Sequence, residues 1–248
     1  MAAADAAYTP VELGAFPTTV AEMREFIAFD PGAKDIYLDS VRATLELTHS
    51  TVEPESPGFV DRKVKLLGEV LGGKEGLDEG LNIILFASKK LMEKGLATEW
   101  VPDDGDCLYT SLEITIGSEV GTLRTELAAY IEGLDPTAVV YVSKGEDGVD
   151  YDVTLETIMA ITALDKSEIA TQIRSKGVWN EVLGDVTPRI AAGFIAKEKG
   201  ISILLIDTES QEEISHNAEG DSPQTGVVVN VGSHYVGTAE LGSKTTSR

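Results

Sequence analysis

The sequence predicts an α+β fold, a small β-sheet between helical layers, with an all-helical extension on its N-terminal side. Three observations carry this. Apolar residues recur at helical spacing through most of residues 1–95, with no β-rich run among them. From residue 96 onward, short runs rich in β-branched and aromatic residues alternate with helical patterns. The hydrophobic content is 42% over 248 residues, enough to fill one large core or two small ones. The expected organisation is a helical extension at 1–95, a mixed domain at 96–242 and a disordered basic tail at 243–248.

Residues 1–18, rich in Ala, Thr and Pro, read as a loose start. Thr18 or Thr19 caps a helix through "VAEMREFIAF", and "DPG" at 30–32 stops it. A second helix is expected over 34–47, with Ile36, Leu38, Val41, Leu45 and Leu47 on its apolar face. "HSTVEPESPG" (49–58) has two prolines and no periodicity and reads as a loop. Helical patterns resume at 59–71 and 77–94, the second closed by Gly95 as a C-cap. "LATEWV" (96–101) reads as a strand ended by Pro102. Helices are expected at 107–116 and 120–133, a strand in "TAVVYVS" (137–143), short helices at 154–163 and 166–173, and a longer one at 185–199. "GISILLIDT" (200–208) reads as a buried strand and "QEEISHNAEGDSPQTG" (211–226) as a polar connection. Two β-rich runs, 227–231 and 234–239, close the domain.

With 42 acidic against 20 basic residues, the net charge is −22. Such a field repels nucleic acid and anionic membrane surfaces, so neither is expected as a partner, and it attracts basic ones. It also keeps a protein soluble without further purpose. No apolar run approaches the roughly 20 residues of a membrane span, and "MAAADAAYTPVELG" lacks the pattern of a signal peptide. One cysteine excludes an intramolecular disulfide framework and a multi-cysteine zinc site. An intracellular, cytoplasmic setting is expected.

That cysteine, Cys107, lies in "EWVPDDGDCLYTSL" (99–112), where a strand gives way to an Asp-Gly loop and then a helix. A free cysteine is commonly a buried small hydrophobe. Here, however, Gly105 allows a sharp turn whose N–H groups can converge on an anion. A helix starting at Cys107 would favour the thiolate through its dipole, while Asp104 and Asp106 oppose it. Cysteine catalysis also needs a histidine. His49, in a loop after a helix, and His216, in the polar connection, read as solvated. His234 sits at a strand start between Gly232-Ser233 and Tyr235, a rigid mount for a base.

The order of strand, "DGDCLYTSL" (104–112), amphipathic helix and distant His-Tyr strand resembles the ovarian tumour (OTU) family of cysteine proteases, which remove ubiquitin. "LRTELAAYIEGLDP" (123–136) is similar to the family's helix after the cysteine helix. "GVW" (177–179), "ISILLI" (201–206) and "GSHYVGT" (232–238) stand where members have related segments. The resemblance covers about residues 96–240. It implies a papain-like OTU cysteine protease fold and hydrolysis of the isopeptide or peptide bond after the C-terminal glycine of ubiquitin or a ubiquitin-like modifier. It implies Cys107 as nucleophile, His234 as general base and Asp104 as a member of the active site. Asp104, Gly105 and Asp106 form the oxyanion loop, with Trp179 and Tyr235 near the catalytic face. No metal or cofactor is required.

One departure stands out. The family usually carries Asn or Asp two residues after the histidine, on the same strand face, and here that residue is Val236. Either another group orients His234, with Asn230 and Asp207 as candidates, or the site is a dyad, or it is impaired. The alternatives to a deubiquitinase are an impaired OTU-like ubiquitin-binding module and a same-fold protease that processes a polyprotein.

Overall fold

The structure, a computed structural model, describes residues 19–49, 58–99, 101–145, 147–178, 182–184, 186–219, 224–231 and 234–241. The expected loose start, most of the 49–58 loop, Trp179, Gly232-Ser233 and the basic tail lie outside the described residues.

Helices α1 (Val20–Phe29), α2 (Ala33–Thr48), α3 (Phe59–Leu71) and α4 (Asp78–Lys94) form the N-terminal part. Thr19 starts α1 through a capping box, its hydroxyl accepting the Glu22 N–H while the Glu22 carboxylate accepts the Thr19 N–H. Gly95 ends α4 in the left-handed conformation, as the sequence predicts. Val20, Met23, Val41, Leu45, Val64, Leu67 and Leu81 share one core of these four helices. The expected apolar face of α2 is narrower than the sequence suggests. Val41 and Leu45 are buried, but Ile36 is 73% exposed and Leu47 partly so, because α1, α3 and α4 cover only one stripe.

The rest of the chain is mixed α/β. A five-stranded sheet has the order β1-β7-β6-β4-β5, formed by β1 (Leu96–Glu99), β4 (Ser202–Asp207), β5 (Glu212–His216), β6 (Thr225–Asn230) and β7 (Tyr235–Glu240). The β4–β6 pair is parallel and the other pairs antiparallel. A separate hairpin joins β2 (Val139–Lys144) to β3 (Asp150–Thr154). Around these lie α5 (Cys107–Thr115), α6 (Leu123–Gly133), α7 (Leu155–Thr162), α8 (Lys166–Arg174) and α9 (Thr187–Phe194), the last continued by a π-helical turn, Ile195–Lys199. Strand alternation sends Ile203, Leu205, Val228 and Tyr235 into the large core with α5, α6, α8 and α9. It sends Leu204, Ile206, Val227 and Val229 to the opposite face, against Phe86, Ala87 and Leu91 of α4.

The sheet is thus covered on both faces, and α4 crosses the expected 95/96 boundary to cover one of them. Thr98 of β1 donates its hydroxyl to the Thr48 carbonyl (3.1 Å), and Lys90 and Lys94 pair with Glu213 of β5. Both β3 and β5 fall where no strand is expected. Helix α5 lies close against the sheet because Gly226 of β6 has no side chain; a Cβ there would sit 2.7 Å from Thr115 Cγ2. Among the described residues no helix is long and apolar enough to cross a membrane.

Candidate active site

The loop before α5 is held by four separate devices. Asp104 accepts the Asp106 N–H on Oδ1 (3.0 Å), closing a turn over Gly105, whose φ of +77° suits glycine. A Cβ on Gly105 would stand 2.8 Å from the Gly177 carbonyl carbon, so the loop also packs directly on the segment after α8. Asp106 accepts the Gly177 N–H (3.0 Å) and pairs with the Arg124 guanidinium at 2.6 Å. Arg124, 5% exposed, also donates to the Gly105 carbonyl (2.9 Å) and the Ile173 carbonyl (2.7 Å), and its guanidinium lies 3.9 Å from the Tyr109 ring centre. One buried cation therefore ties the cysteine loop to α6, α8 and the ring of Tyr109. Helix α6, which carries Arg124, is fixed in turn by the buried Glu113 of α5, which accepts the Gly121 and Leu123 N–H groups.

Cys107 opens α5 and is 2% exposed. Its donor atom, one from His234 and one from Asp103 all lie within 4.8 Å of one another. His234 stands just before β7, where the Val231 N–H donates to its carbonyl (2.8 Å) and closes the β6–β7 turn. Its Nδ1 is 3.6 Å from Asp103 Oδ1, too long for a hydrogen bond, and is buried without a hydrogen-bond partner among the described residues. A thiol, an imidazole and a carboxylate thus meet at one point, and they are the donor set that could hold a metal ion.

Burial pushes the Cys107 thiol above its ordinary range, and Asp103 and Asp104 push it the same way. N–H groups of Tyr235 and Leu108 pull it down and do not prevail. The sequence sets the helix dipole against the Asp104 and Asp106 charges, and in the structure burial joins the opposing side. The dipole's contribution, about 1 kcal/mol where partly exposed, is smaller than the cost of burying a charge.

The sequence-predicted residues divide sharply. Cys107 and His234 are brought together, and Asp104, Gly105 and Asp106 shape the loop beside them. The Asp104 carboxylate is used on the loop backbone rather than on the histidine. Asp207 accepts the Glu209 N–H (3.0 Å) in the turn after β4. Asn230 takes the Thr208 N–H and hydroxyl on its main-chain carbonyl, while its side-chain oxygen is buried without a partner. It lies opposite Tyr235, the neighbour of His234, in the β6–β7 register, whereas Asp207 is not among the three residues whose donor atoms cluster there. Val236 packs against the apolar cluster under α4. Asp103, next to His234, and Arg124 are the residues that sequence reasoning assigned no role. Both sit in quoted motifs, but only folding shows what they face.

Of the other histidines, His216 is 4% exposed, edge-on to Tyr141 (5.8 Å between ring centres), and burial pushes it down to about 4. His49 stacks on Phe59 at 5.6 Å and is also pushed down to about 4 by burial. His216 corrects the expectation of a solvated ring, while His49 is half-buried.

Fold and site together define a mixed α/β protein with a cysteine–histidine pair at the junction of a helix N-terminus and a sheet. No family model matches the chain, and no curated protein matches it. Among solved structures it is similar to one described as "Structure of Ovarian Tumor (OTU) domain in complex with Ubiquitin". The identity is 17% and the TM-score 0.41, over 58% of this chain and 69% of that one. A likeness at that level carries no argument.

Proposed function

We propose that this protein is an OTU-type thiol hydrolase, a deubiquitinase that cleaves the bond after the C-terminal glycine of ubiquitin or a ubiquitin-like modifier. The observation that supports it is the meeting of Cys107 and His234 across the fold, in the order and elements that the D-G-D-C motif calls for. His234 takes the thiol proton, and the thiolate sulfur attacks the glycine carbonyl carbon. The Cys107 N–H, at the start of α5 where no intrahelical acceptor exists, is offered to the oxyanion. His234 then gives its proton to the departing lysine amine, and water, deprotonated by the same histidine, hydrolyses the thioester. No step uses a metal or cofactor.

Asp103, 3.6 Å from the imidazole, is a charged group that would orient His234 in place of the family's amide. A second reading, a ubiquitin-binding module with an impaired site, has two observations in its favour: the raised thiol and the apolar residue after His234. Ubiquitin with a thiol-reactive C-terminal group separates the two. The hydrolase gives a covalent adduct at Cys107 that Cys107→Ala abolishes. A binding module gives a complex and no adduct.

A further inference from the structure

We infer that Asp103, Cys107 and His234 form a zinc site, and that occupancy by Zn²⁺ switches the active site off. The coordination rests on geometry alone, while its inhibitory consequence rests on the catalytic reading above. Zinc with nitrogen and oxygen ligands at about 2.0–2.2 Å sets two such donors of a tetrahedral site ~3.4 Å apart. The His234 Nδ1 to Asp103 Oδ1 separation of 3.6 Å is too long for a hydrogen bond and close to that edge. The sulfur lies within 4.8 Å of one imidazole nitrogen and one carboxylate oxygen of the same two residues, so a small closing motion completes three ligands and leaves the fourth position to water.

The donors select the ion. A thiolate and an imidazole suit Zn²⁺ and disfavour Mg²⁺ and Ca²⁺, which prefer oxygen-only sites. Nδ1 of His234 is buried and among the described residues has no hydrogen-bond partner that a metal would displace. Asp103 is 75% exposed at its side chain, which gives the ion an entry side and a ligand free to swing. On binding, Zn²⁺ replaces the thiol proton, which passes to solvent. The sulfur is then bonded to the metal rather than free to attack, and the imidazole nitrogen can no longer carry a proton.

The test uses the full-length protein without ubiquitin. Zn²⁺ binding is measured by competition with a chromogenic chelator, and Co²⁺ is added as a coloured probe. One tight equivalent is expected above whatever the acidic surface collects, absent in Cys107→Ala and weakened at least tenfold in Asp103→Asn. Co²⁺ should give a thiolate charge-transfer band that Cys107→Ala lacks; as Cys107 is the sole cysteine, the band locates the metal. Excess Mg²⁺ should not compete. Zn²⁺ uptake equal in wild type and Cys107→Ala, with no Co²⁺ band, overturns the site. Binding without any reaction toward ubiquitin keeps the site and removes the hydrolase reading. Activity toward ubiquitin that tight Zn²⁺ leaves untouched overturns the switch.

Discussion

At the scale of single residues, Asp103 has two opposed effects. Its carboxylate stands 3.6 Å from the imidazole that it would orient, yet its charge raises the thiol of Cys107 by repelling the thiolate. Asp103→Asn should therefore shift the pH profile of iodoacetamide alkylation at Cys107 to lower pH, while lowering the turnover rate by about tenfold, a fraction of what general-base catalysis is worth. An unshifted alkylation profile would show that Asp103 does not act on the thiol. Val236→Asn would place an amide two residues after the histidine, where the resemblance implies one. In the structure that amide enters an apolar cluster with Leu204 and Val229, so a loss of stability is expected. His216 illustrates a second electrostatic cost. Its ordinary value of 6.5 is pushed down to about 4, so the unfolded chain binds a proton that the folded one refuses. Its contribution is fully present above pH 6.5 and is lost as pH falls through 4, a swing of roughly 3 kcal/mol. His216→Phe keeps an aromatic ring against Tyr141 and should move the acid-unfolding midpoint, followed by circular dichroism, to lower pH. An unchanged midpoint would mean that His216 is not a determinant of acid stability.

Among the elements, those with a strong one-sided pattern were legible in the sequence and those at edges were not. Helices α3 and α4 and strands β4 and β6 carry runs whose period matches what they bury. Strand β5, "EEISH", pairs only with β4, and β3, "DYDVT", pairs only with β2. Each has a largely exposed, charged pattern, since an edge strand gains its hydrogen bonds without needing apolar residues on both faces. Helix α4 shows the converse limit. Its periodicity placed it correctly as a helix, but not the fact that it buries two things at once, the N-terminal core and the sheet. Removing residues 1–94 would expose Leu204, Ile206, Val227 and Val229, all now 8% exposed or less. At about 1.5–3 kcal/mol per side chain the loss exceeds 5 kcal/mol, comparable to the whole stability of a typical domain. A 95–248 fragment should aggregate or bind hydrophobic dye with broadened NMR spectra. A dispersed spectrum with cooperative unfolding would show instead that α4 is a detachable layer.

For the molecule as a whole, the chemistry was readable where it is local and hidden where it depends on closure of the fold. "DGDC" announces a turn, a helix start and a thiol within four residues. That His234 would reach that thiol could be expected only from its strand setting and the motif order, and nothing in the sequence marked Asp103 as a carboxylate that would stand beside the imidazole. His234 and the loop before α5 meet through tertiary packing, while Arg124 and Glu113 tie that loop and α5 to α6 and α8. Turnover of a ubiquitin–lysine isopeptide conjugate by the full-length protein tests this arrangement most directly, with wild type, Cys107→Ala and His234→Ala compared by gel and intact mass. Release of free ubiquitin by wild type is expected, abolished in Cys107→Ala and reduced by about 100-fold or more in His234→Ala. Cleavage that survives Cys107→Ala, or a folded wild type that leaves every ubiquitin and ubiquitin-like conjugate intact, would contradict it.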